Sequence, residues 1–221
     1  MNIAPEETSL VIAGAWNAAI LTPAWVIKYG LLKDGGTAQV FFPTAPGAIF
    51  QAPRFNLGDL SFTVLPNALV LLPSEHKAEH LSFLEEVAAR MLSALPHTPV
   101  TGVGHNFEYR DHDPSSRYLK VFTDSRQDLA DEMPLGWEAT AAAVASSFKN
   151  ASRKALVNIQ RQLDGGMITM KFNFHCDVTS VDRAVEVLEG KDGYARMTQN
   201  LETAEHLVNT LYGGPQGDQH N

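Results

Sequence analysis

An α+β fold, with a curved antiparallel sheet carrying helices on one face, is predicted from three features of the chain. The first is a pair of alternating segments, Ala155 to Leu163 and Met167 to Val178, joined by Asp164-Gly165-Gly166. Period-two alternation marks strands with one apolar face, and paired glycines permit the positive φ of a tight hairpin. The second is the spacing of Leu84, Ala88, Met91 and Leu95 within a helix from about Ser74 to Leu95, a stripe that needs a sheet to cover it. The third is a further helical stripe, Tyr194, Met197, Leu201, Ala204, Val208 and Leu211, which stops at Gly213.

In chain order, Ser9 to Trp16 is apolar enough for a buried strand. Thr22 as N-cap and Pro23 at the first helical position start a short helix, because proline's missing N–H is unbonded there in any case. Asp34-Gly35-Gly36 predicts a turn, Gln39 to Pro43 a strand, and 43–53 a loop. Leu60, Phe62 and Val64 alternate with Ser61 and Thr63. After the Pro66-Asn67 turn, Ala68 to Leu72 returns as a strand. Ser74 is the expected N-cap of the long helix, with Glu75, Glu79, Glu85 and Glu86 elsewhere around the cylinder, and Pro96 ends it. Thr101 to Tyr109 is predicted as a strand and Asp111 to Ser116 as a loop, while Arg117 to Phe122 fits helix or strand. Trp137 to Lys149 has helical propensity in its alanines, but the neighbouring hairpin favours a strand. Thr179 with Asp182 predicts a capping box for a helix carrying Val181, Val185 and Leu188.

Composition narrows the function. A chain of 221 residues with 44% hydrophobic and 19% charged residues can build a substantial core, and residues 1–213 are expected to form one domain with a mobile tail at 214–221. The formal charge of −8 repels a phosphate backbone, so no nucleic-acid partner is expected. Cys176 stands alone, which excludes an internal disulfide. The first apolar run is too short to span a bilayer, and no basic residue precedes it. The expected location is the cytoplasm, bacterial in style, with no membrane partner.

Read coarsely, residues 9–96 and 98–213 each run strand, short helix, three strands, long helix. Gly14-Ala15-Trp16-Asn17 and Val103-Gly104-His105-Asn106 occupy matching places, with Pro23 and Pro114 following. Two fused β-α-β-β-β-α pseudo-repeats would make one antiparallel sheet. That element order resembles the saddle of the TATA-binding-protein fold. The resemblance concerns architecture and implies no function.

Several constellations bear on chemistry. His76, Glu79 and His80 fit H-x-x-E-H, in which two histidines one helical turn apart hold zinc and the glutamate acts as base. No third ligand is evident. His105, Glu108, Asp111, His112 and Asp113 are the densest group of potential ligands, but they match no established spacing. His175 and Cys176 are strand neighbours and point to opposite faces, which disfavours a nucleophile–base pair. Gly102-Val103-Gly104 lacks the third glycine of a dinucleotide fingerprint. The hairpin's polar side, with Asn158, Gln160, Lys171, Asn173 and His175, is a candidate interface. Trp16, Asn17, His105 and Asn106 are a candidate groove. With no catalytic signature, the sequence predicts a non-enzymatic protein, self-associating or bound to a protein partner, that uses no cofactor. The alternative is a metal-dependent hydrolase built on His76, Glu79 and His80.

Overall fold

The structure is a computed structural model that describes residues 1–29, 31–32, 36–42, 52–122, 133, 140–150, 152 and 154–213. It is a mixed α+β fold built on a curved, unclosed sheet of ten antiparallel strands. A short strand β1 (Asn2–Ile3) and a 3-10 turn (Pro5–Glu7) lead into β2 (Ser9–Gly14) and helix α1 (Pro23–Lys28). Strands β3 (Gln39–Phe41), β4 (Arg54–Asn56), β5 (Leu60–Leu65) and β6 (Ala68–Pro73) precede helix α2 (Ala78–Ala94). Then come β7 (Val100–Asp111), a helical stretch α3 (116–122), β8 (Ala141–Asn150), β9 (Ala155–Asp164) and β10 (Met167–Asp177). Helices α4 (Val181–Leu188) and α5 (Met197–Tyr212) close the described chain.

The strand order is β3-β4-β5-β6-β2-β7-β10-β9-β8, and β1 pairs with β7 beyond Ser9, the first residue of β2. Strand β7 is thus an interior member, flanked by β2 and β10. Helix α2 lies on β6, α4 and α5 lie on β7, and α2 packs against both of those helices. The core sits between this layer and the sheet face bearing Leu10, Ile12, Leu69, Leu71, Val103, Phe107, Phe172 and Phe174. Phe107 meets Phe174 edge-on at 6.0 Å between ring centres. The opposite face carries the alternate residues and is the face that the described helices leave open.

Local signals mostly act as anticipated. Thr22 Oγ1 accepts the Trp25 N–H at 3.2 Å, with Pro23 opening α1. Gly165 and Gly166 take φ of 53° and 86°, the paired positive values that a two-residue hairpin requires. Residues 116–122 are helical, and the alanine-rich segment is strand β8. Three expectations need correction. Helix α2 starts at Ala78, not Ser74, because the Ser74 hydroxyl bonds His80 Nδ1 at 3.0 Å and the N-cap is Lys77. The cap of α4 is Ser180, whose Oγ accepts from Arg183 N at 3.3 Å, not Thr179. Helix α5 begins at Met197, after Tyr194. Residues 52 and 53, the described part of the segment expected as a loop, have no regular structure, and β4 follows at once without an alternating signal because it has only three residues. The turn residues Asp34 and Gly35, positions 43–51, Trp137 and 214–221 lie outside the described residues. No helix among the described residues is long and apolar enough to cross a membrane.

Candidate functional site on the open sheet face

Strand register decides what this face presents. Ser9 lies opposite Asn106, Asn106 opposite Asn173, Asn173 opposite Asn158, and Asn158 opposite Ser147. Five polar side chains therefore form one row across β2, β7, β10, β9 and β8. Hydrogen bonds run along it in one direction. Ser147 Oγ donates to Asn158 Oδ1 at 2.7 Å, and Asn158 Nδ2 to Asn173 Oδ1 at 3.2 Å. Asn173 Nδ2 donates to Asn106 Oδ1 at 2.7 Å, and Asn106 Nδ2 to Ser9 Oγ at 3.2 Å. An amide has two N–H donors and two acceptor lone pairs, so each asparagine spends one donor in the row and keeps a second. Mutual bonding also fixes the rotamers, so a ligand would not have to order them.

The neighbouring row is ionic. Glu108 lies opposite Lys171, and Lys171 opposite Gln160. Glu108 is buried, with one oxygen accepting from Arg110 Nε at 2.7 Å and the other 3.2 Å from Lys171 Nζ. Arg110 also reaches Glu6 at 2.7 Å and Glu7 at 3.2 Å, which ties the 3-10 turn to the sheet. These carboxylates, Glu108 above all, hold the Arg110 guanidinium even more firmly protonated than usual. Between the rows lies an open depression of about 430 Å³, floored by Asn106, Asn158, Asn173, Gln160 and Lys171.

His175 occupies a third level. Its Nε2 is 3.0 Å from Asp177 Oδ1, and its ring lies over Gly102, where a Cβ would stand 2.5 Å from His175 Cε1. The missing side chains of Gly102 and Gly104 leave room for His175 and Asn173. A Cβ at Gly104 would meet Asn173 Nδ2 at 3.2 Å. In the sequence these glycines looked only like a failed nucleotide fingerprint, and the signal missed was their position opposite polar side chains.

All five residues of the candidate interface, Asn158, Gln160, Lys171, Asn173 and His175, lie on this face, with Asn106 among them. The other three groove candidates lie elsewhere. Trp16 is buried and donates its indole N–H to the Ile12 carbonyl at 3.0 Å. Asn17 falls beyond the end of β2, exposed, with its side chain accepting from Ala19 N at 3.0 Å. His105 neighbours Asn106 in β7 and so points to the opposite, helix-covered face.

There His105 belongs to a buried polar cluster. Its Nδ1 is 2.8 Å from Asn200 Nδ2, and its Nε2 is 3.8 Å from Glu85 Oε1 and has no hydrogen-bond partner. Glu85, expected outside the apolar stripe of α2, is 1% exposed. Its carboxylate accepts the Met197 N–H at 2.7 Å and the Arg196 Nε–H at 2.8 Å, so it caps α5 from a neighbouring helix. Burial pushes the Glu85 carboxyl up to about 7, and burial beside Arg196 pulls the His105 imidazole down to about 4. A sequence signal existed, since Glu85 falls one turn after Leu81 and within the stripe Leu81, Leu84, Ala88.

The remaining candidates are dispersed. His76 precedes α2, so it and His80 do not share a helix face, and its ring lies edge-on to Phe107 at 6.5 Å. The Glu79 side chain is 73% exposed. Asp111 accepts from the Asp113 N–H at 3.2 Å in a turn, and Glu108 is held by its cations. Among the described residues no group of three or more His, Cys, Asp or Glu side chains is placed to hold a metal ion. Cys176 is buried, and burial pushes its thiol up to about 11, away from nucleophilic character at neutral pH. Neither known family models nor curated proteins yield a match to this chain.

Proposed function

We propose that this chain is a non-enzymatic binding protein that holds a polypeptide partner against the open face of its sheet. The observation that carries the reading is the row Ser147–Asn158–Asn173–Asn106–Ser9, five side chains in register and ordered by their own hydrogen bonds. Neutral amides offering both donors and acceptors complement a peptide backbone better than they do a polyanion. The cations beside the row, Lys171 and Arg110, are already paired with Glu108, so they offer little attraction to phosphate. Ser9, Val11 and Ala13 on β2 carry short side chains, which lets a partner's main chain come close.

The compartment we infer is the cytoplasm, consistent with one buried, unpaired thiol. We also take the chain to be an internal duplication. Strand β2 stands beside β6 and then β5, as β7 stands beside β10 and then β9, and the two leading strands adjoin at the middle of the sheet.

A photo-crosslinking residue in place of Gln160 tests the binding role. Discrete polypeptide adducts should form there, fall at least about tenfold when Asn106 and Asn173 are both changed to Leu, and be absent from a probe at Glu202 on α5. Equal labelling of the two faces would sink the proposal.

A further inference from the structure

The two edges of the sheet differ. Strand β3 has three residues, whereas β8 has ten and pairs with β9 without a break from Ala141↔Asp164 to Asn150↔Ala155. Among the described residues no strand pairs with the outer side of β8. A free strand edge normally carries a protective device, such as proline, a bulge or repeated charge. Strand β8 reads AAAVASSFKN, with no proline, no register shift and one charge, Lys149. Beneath it, on the helix side, Phe148 is 58% exposed and Leu211 45%, and they border an apolar groove of about 570 Å³ with Val157, Ile159 and Leu207.

We propose that β8 pairs antiparallel with β8 of a second copy of this chain, joining two sheets about a twofold axis. The strand is self-complementary in this arrangement. A twofold axis perpendicular to the sheet matches odd positions with odd and even with even, so open face continues into open face. Centred on Ala145 or Ser146, it sets Phe148 opposite Ala142 or Val144 of the second copy. Lys149 then stands opposite Ala141 or Ala143, about 20 Å or more along the strand from its own counterpart. The only charge on the edge therefore does not oppose itself. An edge of about 34 Å, widened by the groove beneath it, is of the order needed for the roughly 800 Å² per partner that stable dimers bury. The amide row ends on β8 at Ser147, so pairing would also bring the two open faces together. The inference does not depend on what that face binds.

Sedimentation equilibrium of the full chain at micromolar concentration is the test. A species of twice the 24.1 kDa chain mass is expected. The double variant Ala143→Lys, Ala145→Lys places like charges across the axis from side chains that are exposed in the single chain, and should weaken the dimer at least about tenfold. Circular dichroism checks that the variant is folded. Amide exchange on the unaltered chain covers the case in which it is not. Residues 141–150 should gain protection as concentration rises from nanomolar to micromolar. A monomer throughout, a folded double variant that dimerises as well as the parent, or β8 exchange independent of concentration would each overturn the proposal.

Discussion

At the scale of single residues, the open face makes graded demands. Asn173 stands in the middle of the amide row, donating to one asparagine and accepting from another, and is half-buried. Asn173→Ala strands both neighbours and should lower unfolding free energy by about 1 kcal/mol, whereas Ser147→Ala at the exposed end should cost close to nothing. Urea denaturation of the two variants measures the gradient, and equal losses would mean the row is not cooperative. Gly102 supports a sharper test. In a strand, Gly→Ala ordinarily helps by restricting the unfolded chain. Here the new methyl meets the His175 ring, so Gly102→Ala should destabilise by about 1 kcal/mol. In a His175→Ala background the same change should become neutral or stabilising. A double-mutant cycle with no coupling would refute the packing argument.

At the scale of elements, the start of α5 depends on a residue from α2. Helix N-termini leave N–H groups unbonded, and Glu85 supplies the acceptor for Met197 from 112 positions away in sequence. Glu85→Ala should cost about 3 kcal/mol and lower the exchange protection of the first turn of α5 more than that of its last. The buried pair also shapes the response to pH. Glu85 binds its proton more tightly folded than unfolded, about 7 against the ordinary 4.5, so its stabilising contribution is present below 4.5 and lost as pH rises through 7. His105 is shifted the other way, about 4 against 6.5, so its contribution is present above 6.5 and lost as pH falls through 4. The slopes oppose each other between 4.5 and 6.5, and the parent chain should show a plateau there. In Glu85→Gln only the histidine slope remains, and thermal unfolding should then show stability rising with pH across that window. A plateau kept in this variant would mean Glu85 is not the opposing group.

At the scale of the whole molecule, β7 is the spine. It pairs with β1, β2 and β10 and carries α4 and α5 on one side. Phe107, fully buried near its centre, packs edge-on against both Phe174 and the His76 ring within one continuous core, so Phe107→Ala should cost about 3–5 kcal/mol while unfolding stays a single transition. More than one transition, seen by calorimetry, would contradict a shared core. The sequence by itself determined the α+β class, the β9–β10 hairpin, the cap of α1 and the split of β10 into a core side and a polar side. Each of these follows from neighbours a few positions apart, through strand alternation, helical spacing or turn glycines. Only the tertiary structure decided that Asn106 joins Asn158 and Asn173 while His105 turns away with Glu85 and Asn200, and that Asn17 joins neither group. Those groupings are set by register between strands up to 97 positions apart and by contacts between helices, such as the one Glu85 makes with the first turn of α5. A strand's own residues specify which face each side chain takes, but a one-residue shift in pairing changes every neighbour across the sheet. Partnership on a sheet is therefore a property of the assembled fold.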